Sequence, residues 1–230
     1  REGVMALITY VPAVVFIGTC FFADTSSTLA RIAGTASAVG AAITVFTTAM
    51  IYSSLRSIAA WHNAWVPAVY LALAAASGML LLNTFLVWFG GPATAYPLVS
   101  AALFVVALAI KFGYWRHIDH DNGGSSVTTA IGVERKSRVK LTQSPHSQEN
   151  YLQQEMGFKI ARRHARKLRR IAIAAGFIVP VVLTLTLFSD AGVATRLAML
   201  LAVISTALGL LIERWLFFAE AKHTVSLYYS

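Results

Sequence analysis

Glu2 stands immediately ahead of an uncharged run from Gly3 to Ala23. A carboxylate at the mouth of an apolar segment is a group that can take up a proton beside a lipid phase. His62 lies between Trp61 and Asn63, with Trp65 close behind, so an imidazole that can donate or relay a proton sits beside indole rings that can pack on a flat ligand. Trp at helix mouths also anchors spans at the membrane interface, and that use is the commoner one. His117-Ile118-Asp119-His120-Asp121 has the residue types of a metal site, but a histidine-box di-iron enzyme needs several such clusters and the chain has one. The cluster reads as a polar juxtamembrane turn, and no metal centre is expected. Arg56, Lys111, Glu213 and Arg214 fall near the ends of apolar runs, where basic stems snorkel or pair with neighbours. None of the 6 histidines is well inside an apolar run, which argues against a membrane haem with facing imidazoles. The single cysteine, Cys20, excludes a disulfide framework, an iron–sulfur cluster held by this chain alone and a multi-thiolate zinc site.

These groups must be positioned by membrane helices. Of 230 residues, 57% are hydrophobic and 13% charged, and the mean hydropathy is +0.65, which rules out a water-soluble single domain. Charge is absent from Ile32 to Leu55 and across the 48 residues from Asn63 to Ile110. Six candidate spans follow: 3–23, 32–52, 64–89, 97–115, 171–188 and 197–218. Asp24-Thr25-Ser26-Ser27-Thr28, Gly90-Gly91-Pro92 and Ser189-Asp190-Ala191-Gly192 are short connections, so the fold class is an all-α, polytopic up-down transmembrane bundle. Pro12 and Pro180 fall inside spans, where neighbouring groups can satisfy the freed carbonyls. Small residues such as Gly34, Ala36, Ala38, Gly40 and Ala41, or Ala74, Ala75, Ala76, Ser77 and Gly78, permit close helix approach.

Three regions result: residues 1–116 with four spans, a basic extramembrane loop at 117–170, and residues 171–230 with two spans and a tail. The segment from Arg116 to Arg170 carries 12 Lys/Arg against 5 Asp/Glu. It includes a flexible stretch at 122–126, a basic β-prone stretch at 133–141 and an amphipathic helix over 147–170. In that helix Leu152, Met156, Ile160 and Leu168 are apolar, and it is expected to lie at the membrane surface or against a soluble partner. Arg162, Arg163, Arg166 and Arg169 form its partner-facing basic surface. The net charge of +9 resolves into 17 Lys/Arg on the side of this loop and 2, Arg31 and Arg196, on the other. That asymmetry explains the charge without a nucleic-acid partner and places the loop in the cytoplasm of a bacterial inner membrane.

Four stretches carry a family likeness: Arg1-Glu2-Gly3-Val4, Met50–Leu55 with Trp61–Pro67, Pro145–Arg170 with Glu149-Asn150-Tyr151 and Glu155-Met156-Gly157-Phe158, and Glu213–Phe218. With them the chain resembles the membrane anchor subunit of dimethyl sulfoxide reductase and related molybdenum oxidoreductases, within the quinone-reactive anchors of polysulfide reductase type. The likeness covers essentially the whole chain. It implies about eight spans in the full family, of which six are here, and a chain that opens on Arg1 as the remainder of a longer protein. It implies a quinol site whose proton-accepting glutamate corresponds to Glu2, partnered in the family by a histidine from the earlier spans. It also implies menaquinol or ubiquinol as substrate, no haem, and molybdopterin and iron–sulfur clusters held only by a catalytic and an electron-transfer partner subunit in anaerobic respiration. Members of the family place that site on the periplasmic side, against the charge count.

The functional expectation is a non-catalytic anchor that oxidises quinol through Glu2, with His62 as relay and Trp61 or Trp65 as ring wall. Two other classes compete. A small-solute transporter or channel is weakened by the lack of charge deep in any span and of self-similar halves. A membrane metal enzyme would rest on His117 and His120.

Overall fold

The computed structural model describes residues 1–22, 26–90, 96–120, 128, 132, 158–188 and 192–224. Within them the elements are α1 (Glu2–Phe22), α2 (Thr28–Ser53), α3 (Trp65–Phe89), α4 (Pro97–His120), α5 (Lys159–Arg163), α6 (Ala165–Ile173), α7 (Val179–Thr184) and α8 (Val193–Ala219). A π-helical turn, Ala174–Ile178, joins α6 to α7, and a 3₁₀ turn, Leu185–Phe188, ends that span. Six stretches are long and apolar enough to cross a membrane, Ala165–Phe188 counting as one. The all-α polytopic bundle read from the apolar runs is therefore the observed fold. The 133–141 and 147–157 parts of the basic loop lie outside the described residues.

Neighbouring spans run antiparallel, as their cross-contacts require. Glu2 meets Thr48, Thr9 meets Thr44, and Phe16 lies against Gly34, so α1 and α2 pair end to end. Trp65 lies over Gly113 while Asn83 donates to the Tyr96 carbonyl, which reverses α3 against α4. The buried core lies among α3, α4, the α6–α7 span and α8, with Val66, Leu80, Phe104, Phe177, Met199 and Phe217 in it. α1 packs on α2, and α2 in turn on α3, so the first two spans form a hairpin at the side of the core.

Small residues act at some of the anticipated positions and not at others. Gly34 and Gly40 face Phe16 and Thr9, and a side chain at either would press on α1. In α3 only Ala76 of the run Ala74–Gly78 is buried, while Ala74, Ala75 and Gly78 face outward. A helix periodicity of 3.6 sends consecutive small residues around the whole circumference, so a run of them marks no single face.

A close helix approach lies elsewhere, where Gly176 of the π turn crosses Gly209 of α8 backbone against backbone. Pro180 explains the π turn. Val179 N–H reaches the Ala174 carbonyl five residues back, and the next donor in that register, Pro180, has no N–H. The carbonyl left over, that of Ala175, accepts instead from Ser205 Oγ of α8 at 2.8 Å. Because a Cβ on Gly209 would overlap the Gly176 backbone, Gly209→Ala is expected to cost about 1–3 kcal/mol of stability. A thermal unfolding curve of the detergent-solubilised protein unchanged from wild type would contradict this crossing.

The structure moves two boundaries and one helix face. α4 continues to His120, so His117, Asp119 and His120 form a last helical turn rather than a loop, and Lys111 stands nine residues before the helix end. Residues 158–170 of the basic segment are described, and they do not form one continuous helix. The segment breaks at His164, and from Ala165 it runs straight into the fifth span. The anticipated apolar face is also displaced: Ile160 is 76% exposed, whereas Ala161 and Ala172 are buried. The reason is a pair of arginines, Arg162 and Arg169, that find acceptors inside the protein and turn the segment with them.

Candidate functional site

Glu2 opens α1, half-buried, and its Oε1 is 2.9 Å from Thr48 Oγ1 on α2. The same hydroxyl lies 2.9 Å from the Thr44 carbonyl. A hydroxyl has one proton and two lone pairs, so it serves both states of the acid. Ionised Glu2 accepts the Thr48 proton; protonated Glu2 donates to Thr48, whose own proton then turns to Thr44. This pair can gain or lose a proton without any heavy atom moving. An apolar groove of about 660 Å³ begins one turn below Glu2, lined by Met5, Ile8 and Pro12 of α1 and Val39, Gly40 and Ile43 of α2.

The α2–α3 connection holds the second set of polar groups at the same end of α2. Asn63 Oδ1 accepts from Trp65 N–H at 3.1 Å and caps α3, its Nδ2 donates to the Ala60 carbonyl at 2.8 Å, and its own carbonyl accepts from Ser53 Oγ at 3.1 Å. His62 is exposed and its Nδ1 faces the Ser53 carbonyl at 2.7 Å. A nitrogen against a carbonyl carries the proton, which leaves Nε2 as the open acceptor of the ring. Trp61 is turned into the core. Its ring stacks on Phe217 at 5.5 Å, meets Tyr52 edge-on at 5.3 Å, and its Nε1–H donates to the Phe217 carbonyl at 3.0 Å. Trp61 thus braces the loop against the end of α8, and Trp65 lies half out of the bundle over Gly113.

The largest departure from what the sequence suggests is inside the bundle. Lys111 and Glu213 are not boundary residues: their side chains are 1% and 0% exposed and form an ion pair. Arg214 closes on the same carboxylate with Nε at 2.5 Å from Oε2 and a second nitrogen at 2.7 Å from Oε1, and its guanidinium lies 4.5 Å from the centre of the Tyr70 ring. Lys111 Nζ also lies 4.2 Å from the Tyr114 ring centre. One carboxylate therefore holds two cations inside the bundle, where charge is tolerated only when paired. Adjacent residues in one helix point some 100° apart, so an Arg beside a Glu gave no hint that one carboxylate joins Arg214 to Lys111.

Two of the four arginines of the basic surface are bound within the chain. Arg162 donates from Nε to the Ala219 carbonyl at 2.8 Å and from Nη2 to the Ala221 carbonyl at 2.9 Å, which covers carbonyls left open at the end of α8. Its burial lowers its pKa from the ordinary arginine value. Arg169 forks onto Asp119 at 2.7 and 2.9 Å and reaches Glu220 with Nε at 2.8 Å. Arg163 and Arg166 are exposed. His117, Asp119 and His120 make no cluster of three metal-ligating groups with any other described residue.

Burial raises the Glu220 pKa, and the Arg169 hydrogen bond pulls it back only in part. A carboxyl whose folded pKa is raised stabilises the fold below the ordinary glutamate pKa and ceases to do so as pH rises through the folded value. At pH 7 its charge is therefore a cost. Glu220→Gln is expected to melt at or above the wild-type temperature at pH 7, and the two curves converge as the pH is lowered to about 4. A variant that melts lower at pH 7 would show that the Arg169 contact outweighs burial.

The family model of the DMSO reductase anchor subunit (DmsC) matches residues 2–219, nearly the whole chain and all six spans. The chain belongs to the DMSO reductase anchor subunit family. The C subunit of a sulfite dehydrogenase from Allochromatium vinosum is 32% identical to this anchor over 183 residues. That match covers 79% of this chain and 55% of the relative, so the chain spans about half the length of the curated protein it matches. No solved structure matches. Six helices long and apolar enough to cross a membrane agree with the family's description as a membrane anchor subunit.

Proposed function

We propose that this anchor exchanges electrons and protons with a membrane quinol on behalf of a molybdenum oxidoreductase, with Glu2 as the proton-accepting group. The observation that carries the reading is Glu2 on Thr48, one turn from an apolar groove of about 660 Å³, in a chain of the DMSO reductase anchor family. Oxidation of a quinol releases two electrons and two protons. The ring needs a dry slot and the leaving proton needs a base at its edge, and the Glu2–Thr48 pair meets the second need in either protonation state. His62, with Nε2 open, passes the proton outward from the same end of α2. The electrons go to iron–sulfur clusters in a partner subunit and on to a molybdopterin subunit, a route that membership of the DMSO reductase anchor family supports. Arg163 meets that partner on the basic side, which the charge count puts in the cytoplasm of a bacterial inner membrane.

A relative named as a subunit of a sulfite dehydrogenase favours a second direction of flow. In that case the same site takes electrons from the partner and reduces a quinone, and protonated Glu2 is the donor. One experiment tests both. The complex is purified with its partner subunits and mixed anaerobically with menaquinol or with menaquinone plus reduced partner, and cluster reduction is followed by electron paramagnetic resonance. Electron exchange in one direction, absent when this anchor is left out, is expected. No exchange in either direction, together with solute flux into liposomes holding the anchor alone, would instead establish a transporter.

A further inference from the structure

A second groove, of about 530 Å³, lies on the opposite flank of the bundle between the end of α4 and the start of α6. Its outer wall is Arg116, Arg166 and Arg170, and its inner wall is Phe112, Trp115 and Ile173. The order along each helix gives the groove a direction. On α4 Phe112 comes one turn before Arg116, and α4 runs outward at this end. On α6 Arg166 and Arg170 come before Ile173, and this span runs inward. Residues three or four apart share a helix face about 5–6 Å apart, so both walls are basic toward the interface and apolar toward the bilayer centre.

The three arginines are exposed and, among the described residues, none has an anionic partner. The one carboxylate in the groove, that of Asp119, is already held by the Arg169 fork. His120 Nδ1 faces the Arg116 carbonyl at 2.8 Å and carries the ring proton there, so the imidazole adds no negative charge to the groove. Among the described residues the groove is therefore left strongly positive. Trp115 adds an independent sign. It is 4% exposed, and its indole Nε1–H has no hydrogen-bond partner among the described residues. A buried donor without an acceptor is costly.

We propose that this groove binds the headgroup and upper acyl chain of an anionic phospholipid, its phosphate diester among Arg116, Arg166 and Arg170 and its chain along Phe112 and Ile173. Arginine forks match phosphate oxygens, and a phosphate or glycerol-ester oxygen supplies the acceptor that Trp115 lacks. The gradient from basic to apolar fits a molecule that carries both parts in that order. A soluble phosphorylated ligand would use only the outer half.

The test uses the purified, delipidated full-length protein in mixed micelles, titrated with phosphatidylglycerol or phosphatidylcholine and read by native mass spectrometry. Phosphatidylglycerol adducts are expected on the wild type and on Lys167→Gln, an exposed charge on the same helix that does not line the groove. Arg116→Gln/Arg170→Gln is expected to weaken them about tenfold, and Arg116→Lys/Arg170→Lys to restore most of the binding. Circular dichroism confirms that each variant is folded. Equal binding of phosphatidylcholine would overturn the proposal, as would undiminished phosphatidylglycerol adducts on the glutamine variant. Displacement of phosphatidylglycerol by millimolar inorganic phosphate would show a site for free phosphate and would overturn the lipid assignment too.

Discussion

Glu2→Gln in the full-length protein is expected to abolish quinol-dependent turnover of the assembled complex while the dye-dependent activity of its soluble subunits is unchanged. Glutamine has the shape of glutamate and its amide oxygen still accepts from Thr48 Oγ1, which sits 2.9 Å from the carboxylate. The hairpin of α1 and α2 is therefore kept. What is lost is the capacity to hold a proton. Proton transfer by a positioned side chain is worth about 10²–10⁴ in rate, and the quinol assay is expected to fall by that factor. Glu2→Asp keeps the acid but withdraws it from Thr48 by a methylene, so it is expected to fall between the two. His62→Gln, which removes the open Nε2, is expected to slow turnover by a smaller factor because water can replace an exposed relay. Quinol turnover unchanged in Glu2→Gln would remove Glu2 from the site, and the fold of the anchor would be untouched by that result.

The second large effect is on stability. Glu213 is the shared anion of Lys111 and Arg214, and all three meet inside the bundle. Glu213→Gln leaves both cations without a counter-charge, and breaking a buried pair in that way costs about 3–5 kcal/mol. At about 2–4 °C per kcal/mol for a chain of this size, the melting temperature of the detergent-solubilised protein is expected to drop by roughly 10 °C. Lys111→Met is expected to cost less, because Glu213 keeps the Arg214 fork at 2.5 and 2.7 Å and methionine fills the aliphatic volume between Tyr114 and Trp115. In Lys111→Met/Glu213→Gln only Arg214 remains unpaired, so the double variant is expected to be more stable than Glu213→Gln alone. That ordering is a coupling and is not additive. Equal melting of Glu213→Gln and wild type would show that the network carries no net stability.

The spans were legible because the signal is local. About twenty apolar residues in a row have one use in a bilayer, and each of the six runs became a helix whose ends moved by a few residues. The exceptions are informative. α4 ran on to His120 and the fifth span began at Ala165, because Asp119, Arg169 and Glu220 offset the cost of polar residues in the helix by pairing with one another. Polarity read along the chain marked a boundary that pairing between packed helices had moved. Glu2 was legible as a lone carboxylate next to an apolar run, yet its Thr48 partner is 46 residues away and carries no signature.

The sequence by itself determined a membrane protein of six apolar helices in alternating directions, its basic side and its family. These depend on composition, run length and motifs, which need no partner in space. Only the tertiary structure decided which charges face one another. It turned Lys111, Glu213 and Arg214 from interface residues into a buried network, and turned Arg162 and Arg169 inward. It also left Arg116, Arg166 and Arg170 around one groove. The worth of a charge in a membrane depends on distances of a few ångströms between helices remote in sequence, and those distances exist only once the bundle has packed.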